Sequence, residues 1–215
     1  MRVNKFVAQA TGMSRRKADE AIEWGRLQVN GVVVTAGFDV QENDKVVLDG
    51  KPIAKPTTYQ TIILNKPSGY VVSRDGQGSK TIYELLPESF QHLKPIGRLD
   101  KASSGLLLVT NDGDLAQRLT HPSYKKEKVY EIELYIPLKE EDRRAIEKGV
   151  KLEDGISRLQ LDGKDKKWTV TMHEGRNRQI RRTFEKQGYT IAKLHRTQFG
   201  DYFLQGTAPG THRLV

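Results

Sequence analysis

Gly97-Arg98-Leu99-Asp100-Lys101-Ala102-Ser103-Ser104-Gly105-Leu106-Leu107-Leu108-Val109-Thr110-Asn111-Asp112-Gly113 is the densest stretch of the chain. A polar loop with glycine at both ends feeds an unbroken apolar run, which closes on an Asp-Gly turn. An apolar run this short between turn signals reads as a strand buried on both faces. A buried strand next to a Gly-framed loop holds a side chain rigidly at the edge of the core, as a reacting group requires. Asp100 is the candidate acid of that loop and Arg98 its neighbouring cation. A loop aspartate more often serves as a turn or cap residue, so the residue types alone leave both readings open.

Outward from this strand, the spacing predicts further strands over 61–65, 70–73, 129–136, 168–173 and 190–194. Over 129–136 the period is two, with Tyr130, Ile132, Leu134 and Ile136 sharing one face. Helices are predicted over 82–86, 114–120, 139–148 and 177–187. The strands are not regularly interleaved with long helices, which argues against a doubly wound fold. Residues 60–215 therefore read as one mixed α/β domain, preceded by a linker over 54–59 that carries Pro and small polar residues. Residues 1–53 read as a separate small unit. Val3, Phe6, Val7 and Ala10 fall at helical spacing, and Ser14 is the predicted N-cap of a second helix. Asn30-Gly31 between β-branched runs predicts a hairpin.

The 215 residues hold 36 Lys and Arg against 27 Asp and Glu, a formal charge of +9. Such an excess suits a polyanionic partner, most simply nucleic acid. With no cysteine, disulfides, thiolate catalysis and Cys-based zinc sites are excluded. Neither a long apolar run nor a signal-like N-terminus is present, so a cytosolic protein without membrane attachment is expected. The charge is concentrated. Residues 174–196 carry Arg176, Arg178, Arg181, Arg182, Lys186, Lys193 and Arg196 against two acids. Residues 1–26 carry Arg2, Lys5, Arg15, Arg16, Lys17 and Arg26 against three. Arg15, Arg16 and Lys17 fall in the first turn of their helix, where cations oppose the macrodipole. Phosphate offsets that cost, because helix N-termini and basic side chains both bind it.

The loop-strand stretch also carries a resemblance. Gly97-Arg98-Leu99-Asp100 followed by Ser103-Ser104-Gly105-Leu106 closely resembles the signature of pseudouridine synthases, in the RsuA/RluB/RluF branch that acts on ribosomal RNA. Asn65-Lys66-Pro67-Ser68-Gly69, Lys128-Val129-Tyr130 and Glu174-Gly175-Arg176-Asn177-Arg178-Gln179-Ile180-Arg181-Arg182 resemble its other motifs, in the right order. Residues 2–50 look like the S-four-type RNA-binding module that precedes the catalytic domain in this branch. Ser103 departs from the family's usual Thr but keeps the hydroxyl.

The resemblance implies an α+β fold, with a large mostly antiparallel sheet, peripheral helices and a small N-terminal module. It implies isomerisation of a uridine in ribosomal RNA to pseudouridine without metal or organic cofactor. Asp100 is then the nucleophile. Arg181 is its ion-pair partner, or else a phosphate ligand. Tyr130 stacks on the uracil or moves a proton, although its alternating strand also suits a core role. The target nucleotide must leave the helix to reach Asp100. Arg98 is placed to fill the vacated space, and Ile180 to pack under the base. Lys66 supports the site or binds phosphate. Arg2, Lys5, Arg15, Arg16, Lys17, Arg26, Arg176 and Arg178 are the candidate RNA contacts. A monomer acting on ribosomal RNA, free or in an assembling particle, is expected. The rival reading is a non-catalytic RNA-binding assembly factor on the same fold.

Overall fold

The computed structural model describes residues 1–55 and 58–215. Of the expected linker over 54–59, Pro56 and Thr57 therefore lie outside the described residues. The chain divides into two compact units. The first is Met1–Gln60 with His92–Lys94 and Thr110–Gly113, and the second is Thr61–Gln91, Pro95–Val109 and Asp114–Val215.

In the first unit, α1 (Val3–Thr11) and α2 (Arg15–Glu23) are followed by β1 (Leu27–Val29), β2 (Val32–Val33), β3 (Val46–Leu48) and β4 (Lys51–Ile53). The strands form an antiparallel sheet in the order β2-β1-β3-β4. The predicted apolar stripes are what the unit buries. Val3, Phe6, Val7, Ala18, Ala21 and Ile22 pack with the inward residues of β1 and β3. The Ser14 hydroxyl caps α2, accepting from the Lys17 amide at 3.2 Å. Asn30 and Gly31 both have positive φ, 51° and 82°, which a two-residue hairpin with matching twist requires.

The second unit is built on β5 (Thr61–Lys66), the short β6 (Lys94–Pro95), β7 (Ser104–Thr110), β8 (Lys128–Leu134), β9 (Val150–Leu152), β10 (Gly155–Ser157), β11 (Gln160–Lys164), β12 (Lys167–Met172), β13 (Ile191–Phe199), β14 (Tyr202–Phe203) and β15 (His212–Leu214). Its helices are α3 (Gly113–Thr120), α4 (Glu140–Lys148) and α5 (Gln179–Lys186). The main sheet runs β11-β12-β8-β13-β7-β5-β15, and β9 and β10 form a separate hairpin. β11–β12, β12–β8, β8–β13, β13–β14 and β5–β15 pair antiparallel, and β7 pairs with β13 in parallel. This is the α+β architecture that the resemblance implied. Leu106, Leu107, Leu108 and Val109 are wholly buried, as the apolar run predicts.

The central pairing explains a glycine of the opening motif. Gly105 lies opposite Arg196 in the parallel ladder, with φ at 104°. A Cβ there would stand 2.2 Å from the Arg196 carbonyl oxygen and 2.5 Å from its amide nitrogen. Only glycine lets the two backbones approach so closely.

Two expected strands differ. Over 70–73 there is only an isolated bridge from Val71 to Thr81, although Tyr70-Val71-Val72 has strand-like residues. Val71 pairs only with Thr81, and propensity does not replace a longer ladder. The strand expected over 129–136 ends at Leu134, leaving Tyr135 and Ile136 exposed. No helix among the described residues is long and apolar enough to cross a membrane.

Candidate active site

A cavity of about 990 Å³ opens in the second unit, between the Gly97–Asp100 loop, β8, the 172–181 segment and the end of β13. Arg98, Asp100, Tyr130, Ile180 and Arg181 all line it, as do Arg176 and Arg178. Eight Lys and Arg side chains line the cavity against two acids, Asp100 and Glu174. Its field therefore favours an anionic ligand. Among the described residues no group of three or more acids or histidines is disposed to hold a metal ion.

The Asp100 turn is held by its carbonyls. Ser103 N–H donates to the Asp100 carbonyl at 3.0 Å, closing the turn. From β5, the Lys66 ammonium donates to the carbonyls of Ser103 at 2.6 Å, Pro67 at 3.0 Å and Asp100 at 3.2 Å. Lys66 is 0 % exposed and does not line the cavity, which corrects its assignment to substrate or phosphate binding. Two of its three donors are spent on the turn and the third on Pro67. Burial pushes its pKa down to about 8, against the opposing pull of the Asp100 charge.

Arg181 donates to the Ala102 carbonyl at 3.3 Å and the Ile191 carbonyl at 3.1 Å. It makes no ion pair with Asp100. The cation facing Asp100 is Arg178, whose Nη1 lies 4.0 Å from Oδ2 and whose Nη2 lies 3.6 Å from Glu185. Arg181 is buried deep enough that burial, and then the charge of Arg178, lower its pKa. Arg178 caps α5 in the left-handed region, φ 47°, an uncommon conformation for arginine that orients it beside the carboxylate.

Tyr130 is buried on β8 with Ile132 and Leu134, so the alternating face is both core and cavity wall. Ile180, in the first turn of α5, is buried with its side on the cavity. Arg98 is exposed on the wall.

Several predicted RNA contacts are committed elsewhere. Arg176 donates to the Asp154 carbonyl at 2.9 Å, the Asp154 carboxylate at 3.0 Å and the Ile156 carbonyl at 2.9 Å, and its Nε lies 3.0 Å from Glu174. It ties the β9–β10 hairpin to the start of α5. Arg182 joins it on Asp154 at 2.6 Å, and the two hold that carboxyl below its usual range. In the first unit Arg26 forks onto Asp49 at 2.7 and 2.6 Å. Arg2 donates to the Gly37 carbonyl and lies 3.5 Å from Asp39. Arg15 donates to Asn4 at 3.2 Å. Arg16 and Lys17 are exposed, and Lys5 is half-buried. Sequence patterning finds clusters of cations but not the acids they fold against.

It also gives no site role to four lining cations, Lys125, Lys126, Lys128 and Arg196. Lys128 lies two residues from Tyr130 on the same face of β8, and Arg196 is the register partner of Tyr130 on β13. The period-two pattern around Tyr130 is the signal that places Lys128 there.

The sequence profile of the S4 domain matches residues 1–46, and that of RNA pseudouridylate synthase matches residues 60–186. The chain belongs to the RNA pseudouridylate synthase family. It is 39% identical over 223 residues to an uncharacterised RNA pseudouridine synthase of Aquifex aeolicus, covering 99% of this chain and 89% of the relative. It is equally 39% identical to ribosomal large subunit pseudouridine synthase B of Bacillus subtilis, over 99% of this chain and 91% of the relative. The protein of the same name in Vibrio cholerae is 36% identical over 97% of this chain and 69% of its own length. The crystal structure of a pseudouridylate synthase superposes with a TM-score of 0.72 at 30% identity, covering 100% of this chain and 96% of that one. As an RNA pseudouridylate synthase the chain is an isomerase. The family match ends at residue 186, so Leu194, Arg196 and Phe199 of this synthase line the cavity from beyond it.

Proposed function

We propose that this synthase converts a specific uridine of ribosomal RNA to pseudouridine, with Asp100 as nucleophile towards a flipped-out nucleotide. One observation carries the reading: Lys66 and Arg181 between them hold the carbonyls of Asp100, Ala102 and Ser103. The turn is thereby preorganised, with two cations near the Asp100 carboxylate. A pure RNA binder has no use for an acid held this way in a basic cavity. The large-subunit synthases among the relatives support ribosomal RNA as substrate.

In the reaction the bond from N1 to the ribose C1′ breaks and a bond from C5 to C1′ forms. The C5 hydrogen leaves as a proton and N1 gains one, so neither water nor an electron carrier is consumed. Asp100 supplies the nucleophile, with Arg178 holding its charge. Tyr130 stacks on the uracil or carries the C5 proton, and Ile180 packs beneath the base. Arg98 fills the space that the flipped nucleotide leaves. Arg16 and Lys17 make phosphate contacts from the N-terminal module, which we place at 1–53, with the catalytic domain at 60–215. The protein acts as a monomer in the cytoplasm, on free ribosomal RNA or an assembling particle.

Ribosomal RNA carrying tritium at uridine C5, from cells without this protein, tests the reading. The wild type is expected to release tritium to water and the folded Asp100→Asn variant none. No release by the wild type, or full release by the variant, overturns it.

A further inference from the structure

Arg196 and Lys128 are two cations of the cavity that share one aromatic ring. Arg196 is 2 % exposed. Its Nε donates to the Leu106 carbonyl at 2.8 Å, and the guanidinium lies 4.9 Å over the Phe199 ring. Its Nη2 is shut off from bulk water and has no hydrogen-bond partner. The Lys128 ammonium lies 5.1 Å over the same ring, held by the carbonyls of Glu174 at 3.1 Å and Lys126 at 3.4 Å. Among the described residues neither cation has a carboxylate within ion-pairing distance.

Of the six other Lys and Arg side chains that line the cavity, Arg98 and Lys125 are exposed, Arg181 donates to carbonyls, and three have carboxylate partners. Lys126 faces Asp201, Arg176 faces Asp154 and Glu174, and Arg178 faces Asp100 and Glu185. Burying charge without a partner is costly, and two like charges side by side are worse. An orphaned guanidinium nitrogen next to a second unpaired cation in a ligand-sized cavity marks a place where the ligand brings the anion. Register fixes where that anion sits. Arg196 and Tyr130 are directly opposed on β13 and β8, so their side chains share a face, and Lys128 is two residues along it. Arg196 offers a planar fork and Lys128 a point charge, a pairing suited to a tetrahedral oxyanion.

We propose that Arg196 and Lys128 form a phosphate subsite that binds a backbone phosphodiester of the RNA strand, beside the ring of Tyr130. This rests on the RNA substrate proposed above. RNA supplies one such charge per nucleotide, and the phosphate next to a nucleotide seated against Tyr130 is the nearest one. Burial and the charge of Arg196 hold the Lys128 pKa down to about 8. An arriving phosphate counters the second effect directly.

The test uses the full chain as wild type, Lys128→Met, Arg196→Met and Arg196→Lys. For each, KM on tritiated ribosomal RNA is measured across KCl concentrations, and Tm is measured with and without inorganic phosphate. Lys128→Met is expected to raise KM about tenfold at low salt with little change in kcat. It should also flatten the slope of log KM against log salt by about 0.7, as for one lost single-strand phosphate contact. Inorganic phosphate should raise Tm in the wild type and not in Lys128→Met. Arg196→Lys should recover part of what Arg196→Met loses, which separates lost charge from lost packing.

An unchanged salt slope in Lys128→Met overturns the proposal, whatever its Tm. A lost phosphate effect on Tm with an unchanged slope means the site takes free phosphate, and overturns the RNA assignment. If the wild type releases no tritium, the proposed activity fails instead, and the phosphate effect on Tm still reports on the subsite.

Discussion

Replacing Gly105 by alanine places a methyl carbon 2.2 Å from the carbonyl oxygen and 2.5 Å from the amide nitrogen of Arg196. Both atoms belong to the backbone of β13, which is held on its far side by β8, so neither gives way as a flexible side chain would. The φ of 104° adds its own penalty for an L-residue, of about 1–2 kcal/mol. Overpacking a close-packed interior costs about 1–3 kcal/mol more. Gly105→Ala should therefore lose about 2–5 kcal/mol, a large share of the roughly 5–15 kcal/mol typical of folded domains. Urea denaturation followed by the fluorescence of Trp168 reads the unit that contains β12. A Trp24→Phe background removes the other tryptophan, which lies in the first unit. The midpoint should fall by roughly 1–2 M with the slope preserved. A loss below about 0.5 kcal/mol would show that the strands separate freely there, and the account of the glycine would be wrong.

Lys66→Met removes both hydrogen bonds from Lys66 to the Asp100 turn while keeping similar bulk. It should cut kcat far more than it raises KM, and Lys66→Arg should not rescue it, because a guanidinium does not fit a site shaped for an ammonium. Equal kcat in Lys66→Met would contradict the bracing role. In the first unit, Arg26→Ala should leave the salt slope of RNA binding unchanged, since Arg26 is already paired with Asp49. Arg16→Ala with Lys17→Ala should reduce that slope by about 1.4, two contacts' worth, as read by filter binding at several salt concentrations. The Lys128 pKa of about 8 sets a pH window. Above it the free protein loses a cation, so RNA affinity should fall as pH rises through 8, and this fall should be absent in Lys128→Met. Between about 8 and 10.5 the unfolded chain holds the proton that the folded one has released. The contribution of this group to folding stability therefore rises with pH across that interval, which urea titrations of wild type and Lys128→Met would compare.

Local pattern carried much of the fold. The apolar run of β7, the alternation of β8, the Ser14 cap and the Asn30-Gly31 turn each depend on neighbours in sequence, and each lies where the pattern puts it. The strand expected over 70–73 did not form because a strand needs a long-range partner that no local pattern reports. The same limit governs the arginines. Arg26 meets Asp49 across 23 positions, Arg176 meets Asp154 across 22, and Arg181 meets the Ala102 carbonyl across 79. Charge clusters were visible, but which cations keep a free edge depends on packing. For the same reason the orphaned pair, Lys128 and Arg196, emerged only from the structure, as did the reason for Gly105.

The central claim is that Asp100 makes pseudouridine in ribosomal RNA. Pseudouridine mapped by carbodiimide-stop primer extension, in ribosomal RNA from cells with the wild type, with Asp100→Asn or with no protein, tests it most directly. The account predicts one site present with the wild type and absent from both other strains. Persistence of every site in the Asp100→Asn strain would contradict it.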